Sequence, residues 1–195
     1  MALQIGVVLS GCGFLDGSEI IESVSVLIAV DRRGAEAVCM APIGNQAEVI
    51  NHLTKQLTGQ TRDILSESAR IARGKIRDIA KVMPAQLDAL VFPGGFGAAK
   101  NLSTFAANRH NCTVNKDVER LIMAMHQEQK PIGLACIAPC LAAAVLGRIG
   151  AHPHLTIGSD PSIAADLESM GAVHHPVGPT EAHVDRDNKL VSTPC

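Results

Sequence analysis

The sequence predicts an α/β protein with a mainly parallel sheet and helices on both faces. Three observations carry this expectation. Residues 3–10 form a nearly continuous apolar, β-rich run, as in a strand covered on both sides. A glycine loop follows, and then apolar residues at 20, 21, 24, 27 and 28 make a helical stripe. Residues 35–41 return as a second strand ended by Pro42, and such short β-α-β connections favour parallel pairing.

The elements follow in order. Ser18 or Asp16 is placed to cap the first helix, and Gly34 to stop it. Residues 43–83 are less regular; their clearest feature is a helix near 61–73, closed by Gly74. Six basic and three acidic residues lie between Arg62 and Lys81. They read either as a solvated face or as a lid offering an arginine to an anionic substrate. Residues 87–92 make a third strand that enters Pro93-Gly-Gly-Phe-Gly97. The stripe at 118, 121, 122 and 125 predicts a helix over 115–129. A fourth strand, 131–135, turns at Cys136 into an Ala-rich helix over 137–146, with Pro139 in its first turn and Gly147 past its end. Short strands at 155–157 and 172–175 flank a helix at 161–170, and 184–185 with 190–192 read as a hairpin. Without repeats or linkers, one domain over 1–195 is expected. The sequence stops just after the hairpin, so a closing helix is expected to be absent, leaving apolar sheet open or covered by another copy.

Composition narrows the function classes. With 47% hydrophobic and 18% charged residues, the chain can build a core. A net charge of −2 gives no global basic field, and four Phe with no Trp or Tyr leave little for base stacking, so no nucleic-acid partner is expected. The longest apolar stretches run to about ten residues, short of the roughly 20 a membrane helix needs. The chain opens directly into a strand pattern, so no signal or transit peptide is expected. Six cysteines without a Cys-x-x-Cys pair read as reduced intracellular thiols rather than a disulfide framework or zinc site. A cytoplasmic location is expected, or the mitochondrial matrix for a processed form.

Glycine-rich loops at 11–17 and 93–97 and the turn at 136 fall at C-terminal ends of strands, where open α/β sheets bind ligands. Phe14, Phe92 and Phe96 lie in or beside them, which points to a small, partly apolar pocket. Cys136 stands between a buried strand and a helix start, a nucleophile-elbow position where the helix dipole enriches thiolate; a buried filler thiol is the other reading. Glu19 either complements a helix N-terminus or reaches that thiol, strands one and four being plausible neighbours; like charge and burial would then favour its protonated form. Gly94, Gly95 and the Ile137 amide form either an oxyanion hole or only a tight turn. The glycines at 11, 13 and 17 miss the dinucleotide fingerprint, so no cofactor is expected. The eight histidines show no metal-ligand spacing, and no metal is expected.

Four segments occur together: Ser-Gly-Cys-Gly-x-x-Asp-Gly-Ser-Glu-Ile (10–20), Glu-Ser-Ala-Arg-Ile-Ala-Arg-Gly (67–74), Pro-Gly-Gly-Phe-Gly-Ala-Ala-Lys-Asn-Leu-Ser (93–103) and Cys-Ile-Ala-Pro (136–139). In this set the chain resembles the ElbB-type (enhancing lycopene biosynthesis) branch of the PfpI superfamily, with its class I glutamine-amidotransferase-like fold. The resemblance spans nearly the whole chain. It implies a flavodoxin-like three-layer sandwich, usually a homodimer, in which Cys136 pairs with Glu19. It further implies glyoxalase III-like conversion of small 2-oxoaldehydes (glyoxal, methylglyoxal) to 2-hydroxy acids without glutathione. A non-catalytic redox-sensing or regulatory module of the same fold is the alternative. Gly11, Cys12 and Asn101 lie in the shared motifs and are assigned with Gly94, Gly95 and Ile137 to substrate or oxyanion binding. The chain departs from many PfpI relatives in having Ile137 where they place histidine. It also has His183-Val-Asp185 where glutamine amidotransferases need His-x-Glu, and Gly158-Ser159 where some relatives place a histidine. His174 is left as the remaining candidate helper.

Overall fold

The computed structural model describes residues 2–194. In chain order the strands are β1 (Gln4–Val8), β2 (Glu36–Ala41), β3 (Ile50–Asn51), β4 (Gln56–Leu57), β5 (Arg77–Asp78), β6 (Ala89–Phe92), β7 (Ile132–Ala135), β8 (His154–Leu155), β9 (Val173–His174), β10 (His183–Asp185) and β11 (Leu190–Thr193). The helices are α1 (Ile20–Arg32), α2 (Ile64–Ile71), α3 (Phe96–Lys100), α4 (Phe105–Asn108), α5 (Lys116–Gln127), α6 (Pro139–Gly147) and α7 (Pro161–Ser169).

Seven strands form the main sheet in the order β10-β11-β7-β6-β1-β2-β5. Every pairing is parallel except the β10–β11 hairpin. This is the flavodoxin-like α/β architecture that the sequence predicts. Strands one and four of the sequence reading, β1 and β7, are not neighbours: β6 lies between them and pairs with both.

Local chemistry explains the elements. Glu19 caps α1, its Oε2 accepting from the Glu22 amide at 2.6 Å. Neither expected cap takes that role: Ser18 Oγ accepts from the Ser10 amide at 2.8 Å, and Asp16 Oδ2 from the Ile50 amide at 2.7 Å. Asp63, Asn115 and Asp160 cap α2, α5 and α7 through their side chains, each satisfying helix amides that would otherwise be orphaned. Pro139 opens α6, where its missing N–H costs nothing.

Alternation along the strands divides the core. Val8, Met40, Leu90, Phe92, Ile132, Leu134 and Leu190 face α5 and α6 in the larger cluster. Val7, Leu9, Cys39 and Ala41 face α1 and α2 in the smaller one. On that second face the register runs on from Val7 through Val91, Gly133 and Val191 to Val184. Val191 and Val184 are exposed, so the α1–α2 layer covers the β1–β2 half of the face and leaves an open apolar strip beyond it. Ile20, Ile21, Val24 and Ile28 add an exposed apolar side on α1.

Candidate functional site

β7 ends at Ala135, and the next residue, Cys136, has φ +58. A non-glycine side chain pays for that conformation, and such strain collects at functional turns. The turn is held by the Cys136 amide donating to the Thr193 carbonyl at 3.0 Å and the Ala138 amide donating to the Ala135 carbonyl at 2.9 Å. The half-buried thiol is thereby turned off the strand, just ahead of α6.

It opens on a cavity of about 450 Å³, with Phe14, Phe96, Ile137, Ile157 and Ile163 as apolar wall. Gly95, Glu19, Glu22 and Asp160 complete the lining. No lysine, arginine or histidine is part of that wall among the described residues.

Glu22 is hydrogen-bonded to Cys136. Its Oε2 also accepts from the Gly94 amide at 2.7 Å. Burial pushes the Glu22 pKa up, and the neighbouring Glu19 charge adds to this; the bonds from Gly94 and Cys136 oppose it without cancelling it. Glu19 lines the cavity, but its Oε2 is engaged in the helix cap. The sequence reading placed Glu19 at the thiol and missed Glu22. One signal was available: positions 19 and 22 are three apart at a helix start, so both point to one side.

Glycine is required where this acid and the thiol meet. A Cβ on Gly94 would collide with Cys136 Cβ and with Glu22 Oε2. Gly95, at φ +96, packs on the backbone of Gly17 and Glu19. The Gly94 amide thus serves the carboxylate rather than standing open as an oxyanion donor. The amides of Gly95 and Ile137 make no hydrogen bond among the described residues, and both residues line the cavity.

The other candidates lie elsewhere. The Gly11 amide donates to Ser68 Oγ at 2.8 Å. Asn101 Nδ2 donates to the carbonyls of Ser10 and Asp16, both at 2.8 Å, while its Oδ1 accepts from the Ala47 amide at 2.8 Å. Cys12 sits near Glu67, Arg70 and Asp16, and burial raises its pKa. None of the three lines the cavity. His174 does not line it either, and its Nε2 is buried without a hydrogen-bond partner among the described residues. Arg62 and Arg70 pair with Glu67 rather than reaching the cavity. Cys140, one helical turn beyond the elbow, is fully buried, and desolvation drives its thiol pKa far up. No helix among the described residues is long and apolar enough to cross a membrane.

No family model matches the chain. Among curated proteins it is 47% identical over 204 residues to the human glutamine amidotransferase-like class 1 domain-containing protein 3, mitochondrial, covering 100% of this chain and 75% of that protein. Among solved structures, an isoprenoid biosynthesis protein with an amidotransferase-like domain from Ehrlichia chaffeensis matches at TM-score 0.90 and 37% identity, over 98% of this chain and 87% of that one. Drosophila melanogaster DJ-1beta matches at TM-score 0.61 and 16% identity, over 100% and 83%, a likeness of fold alone.

Proposed function

Because this chain belongs to the glutamine amidotransferase-like class 1 family, within the PfpI superfamily, we propose that its cavity converts small 2-oxoaldehydes to 2-hydroxy acids. The observation that carries the reading is the strained Cys136 thiol, hydrogen-bonded to a carboxyl whose pKa is raised, at the floor of an apolar cavity. A raised pKa suits a group that must both accept and return a proton. The wall carries three carboxyls and no cation, which favours a neutral carbonyl substrate over an anionic one and speeds the departure of an acid product.

The steps balance without a cofactor. The Cys136 sulfur adds to the aldehyde carbon, and the thiol proton ends on the new hydroxyl, giving a hemithioacetal. Glu22 takes the proton from that carbon and delivers one, exchanged with solvent, to the adjacent carbonyl carbon, while the hydroxyl proton passes to the adjacent carbonyl oxygen, so one carbon is oxidised as its neighbour is reduced. The amides of Gly95 and Ile137 face the oxygen that gains charge. Water then cleaves the resulting thioester, releasing the 2-hydroxy acid and the thiol. The role that the resemblance gives to Glu19 passes to Glu22, and Glu19 supports its raised pKa.

Incubation with methylglyoxal in deuterated water tests this. Lactate carrying solvent deuterium at C2 is expected, with none formed by Cys136→Ala. No product from the wild type, or unchanged turnover in Cys136→Ala, rejects the reading.

A redox-sensing role is the second reading, favoured by the lack of an imidazole in the cavity wall. It requires Cys136 to oxidise ahead of the other cysteines at low peroxide, which peptide mass spectrometry reads. Amidase chemistry is disfavoured by the same lack, and His183 packs against His154 and His175 instead. The exposed apolar side of α1 and the open strip at Val184 and Val191 support a homodimer. The mitochondrial human relative supports the matrix as location.

A further inference from the structure

Outside the cavity, the fold gathers three histidines that are dispersed in the sequence. His154 begins β8, His175 follows β9, and His183 begins β10. His154 Nδ1 lies 2.8 Å from His175 Nε2. The His175 and His183 rings stack with centroids 4.0 Å apart, and the His154 and His183 centroids are 6.3 Å apart. One ring nitrogen from each residue falls within 4.8 Å of the other two.

The backbones beneath the rings are fixed. The His154 amide donates to Asp185 Oδ2 at 2.8 Å, and Asp185 in turn accepts from Asn188. The His175 amide donates to the Leu155 carbonyl at 2.8 Å, and β10 is locked to β11 by the hairpin. His154 is exposed and the other two are half-buried, so the rings have room to turn. A pairwise hydrogen bond accounts for His154 and His175. It leaves the ring nitrogens of His183 without a partner among the described residues, although that ring is stacked into the cluster.

We propose that His154, His175 and His183 form a tri-imidazole site for a divalent transition metal of the zinc class. Three neutral imidazoles supply lone pairs that a borderline cation accepts, and the outer, solvent side leaves a fourth position for water. Zinc–nitrogen bonds of about 2.0–2.1 Å set the ligating nitrogens roughly 3.3 Å apart, between the 2.8 Å of His154 and His175 and the 4.8 Å that bounds the cluster. The rings, stacked at interplanar angles of 7° to 21°, turn out of their stack to aim their lone pairs at one ion. The bound ion ties β8, the turn after β9 and β10 together. Ile157, Asp160 and Ile163 of the cavity wall follow β8 directly, so the ion braces that wall from outside. The site stands independently of the chemistry assigned to Cys136.

Titration of chelator-treated protein with Zn²⁺, followed by calorimetry and native mass spectrometry, tests the site. One ion per chain is expected, together with a raised melting temperature. His175→Ala and His183→Ala, checked for folding by circular dichroism, are each expected to weaken binding by about tenfold or more. Cys136→Ala is expected to bind as the wild type does. Co²⁺ should give tetrahedral visible bands without a thiolate charge-transfer band. Absence of uptake, uptake indifferent to both histidine variants, or a thiolate band lost in Cys136→Ala overturns the proposal.

Discussion

Two turns at the same edge of the sheet, both rich in small residues, do opposite work. The loop after β1 is closed on itself and on its neighbours. The Gly13 amide donates to the Ser18 carbonyl at 2.9 Å, the Gly17 amide to the Gly13 carbonyl at 2.7 Å, and Asn101 bridges Ser10 and Asp16. The turn after β7 has far fewer ties and holds a cysteine at φ +58 against a cavity. Glycines in the first loop let backbone pack on backbone; glycines beside the second make room for a thiol and a carboxyl. A glycine loop at a strand end is thus a fastener in one case and part of a reactive site in the other.

Substitution can break that comparison, and the elbow should give the largest effect. Cys136→Ala is expected to lower 2-oxoaldehyde turnover by about a thousandfold or more while leaving the fold intact. Glu22→Gln comes next, with a loss of about 10²–10⁴-fold, measured by the same lactate assay. Its stability should move the other way. Burial raises the Glu22 pKa, so the folded state holds that proton more tightly than the unfolded chain does. Stability therefore falls as pH rises from the ordinary glutamate pKa through the folded value, and the cost is fully present above it. Glu22→Gln, which still accepts from the Gly94 amide, should match or exceed the wild-type melting temperature at about pH 8 and lose that advantage near pH 4. In the fastener loop the pattern inverts. Asn101→Ala leaves the Ser10 and Asp16 carbonyls and the Ala47 amide unpaired, and should cost about 2 kcal/mol or more by urea denaturation. The turnover of its folded fraction should be retained.

Legibility in the sequence followed the range of the interactions. Strands with continuous apolar runs and helices with a clean stripe, such as α5, were readable because burial acts on local pattern. Cys136 was readable because a strand, a helix start and Pro139 bracket it. The short helices α3 and α4 carry no stripe of their own and were not seen. The position of β6 between β1 and β7 is a long-range choice that no local pattern encodes. The second acid, Glu22, was hidden for a related reason. That Glu22 meets the thiol depends on the Gly94 amide, some 70 residues away, donating to its carboxyl, and on Gly94 carrying no side chain of its own. The histidine cluster was invisible because its members converge only when β8, β9 and β10 assemble.

The smallest expected effect separates the two acids most sharply. Glu19 raises the Glu22 pKa through its charge and caps α1 through Oε2. Glu19→Gln keeps an acceptor for the cap and removes only the charge, so α1 should retain its stability, whereas Glu19→Ala should cost about 1 kcal/mol. With the charge gone, Glu22 should ionise at lower pH. The pH dependence of Cys136 alkylation by iodoacetamide reads this shift without relying on turnover, because the thiol is hydrogen-bonded to that carboxyl. Its acidic limb should move to lower pH in Glu19→Gln, and lactate formation on the plateau should fall by less than about tenfold. If Glu19 itself carried the proton, the same substitution would abolish turnover while leaving the Glu22→Gln variant active. An unmoved alkylation profile would mean that the two carboxyls do not sense one another across the cavity floor.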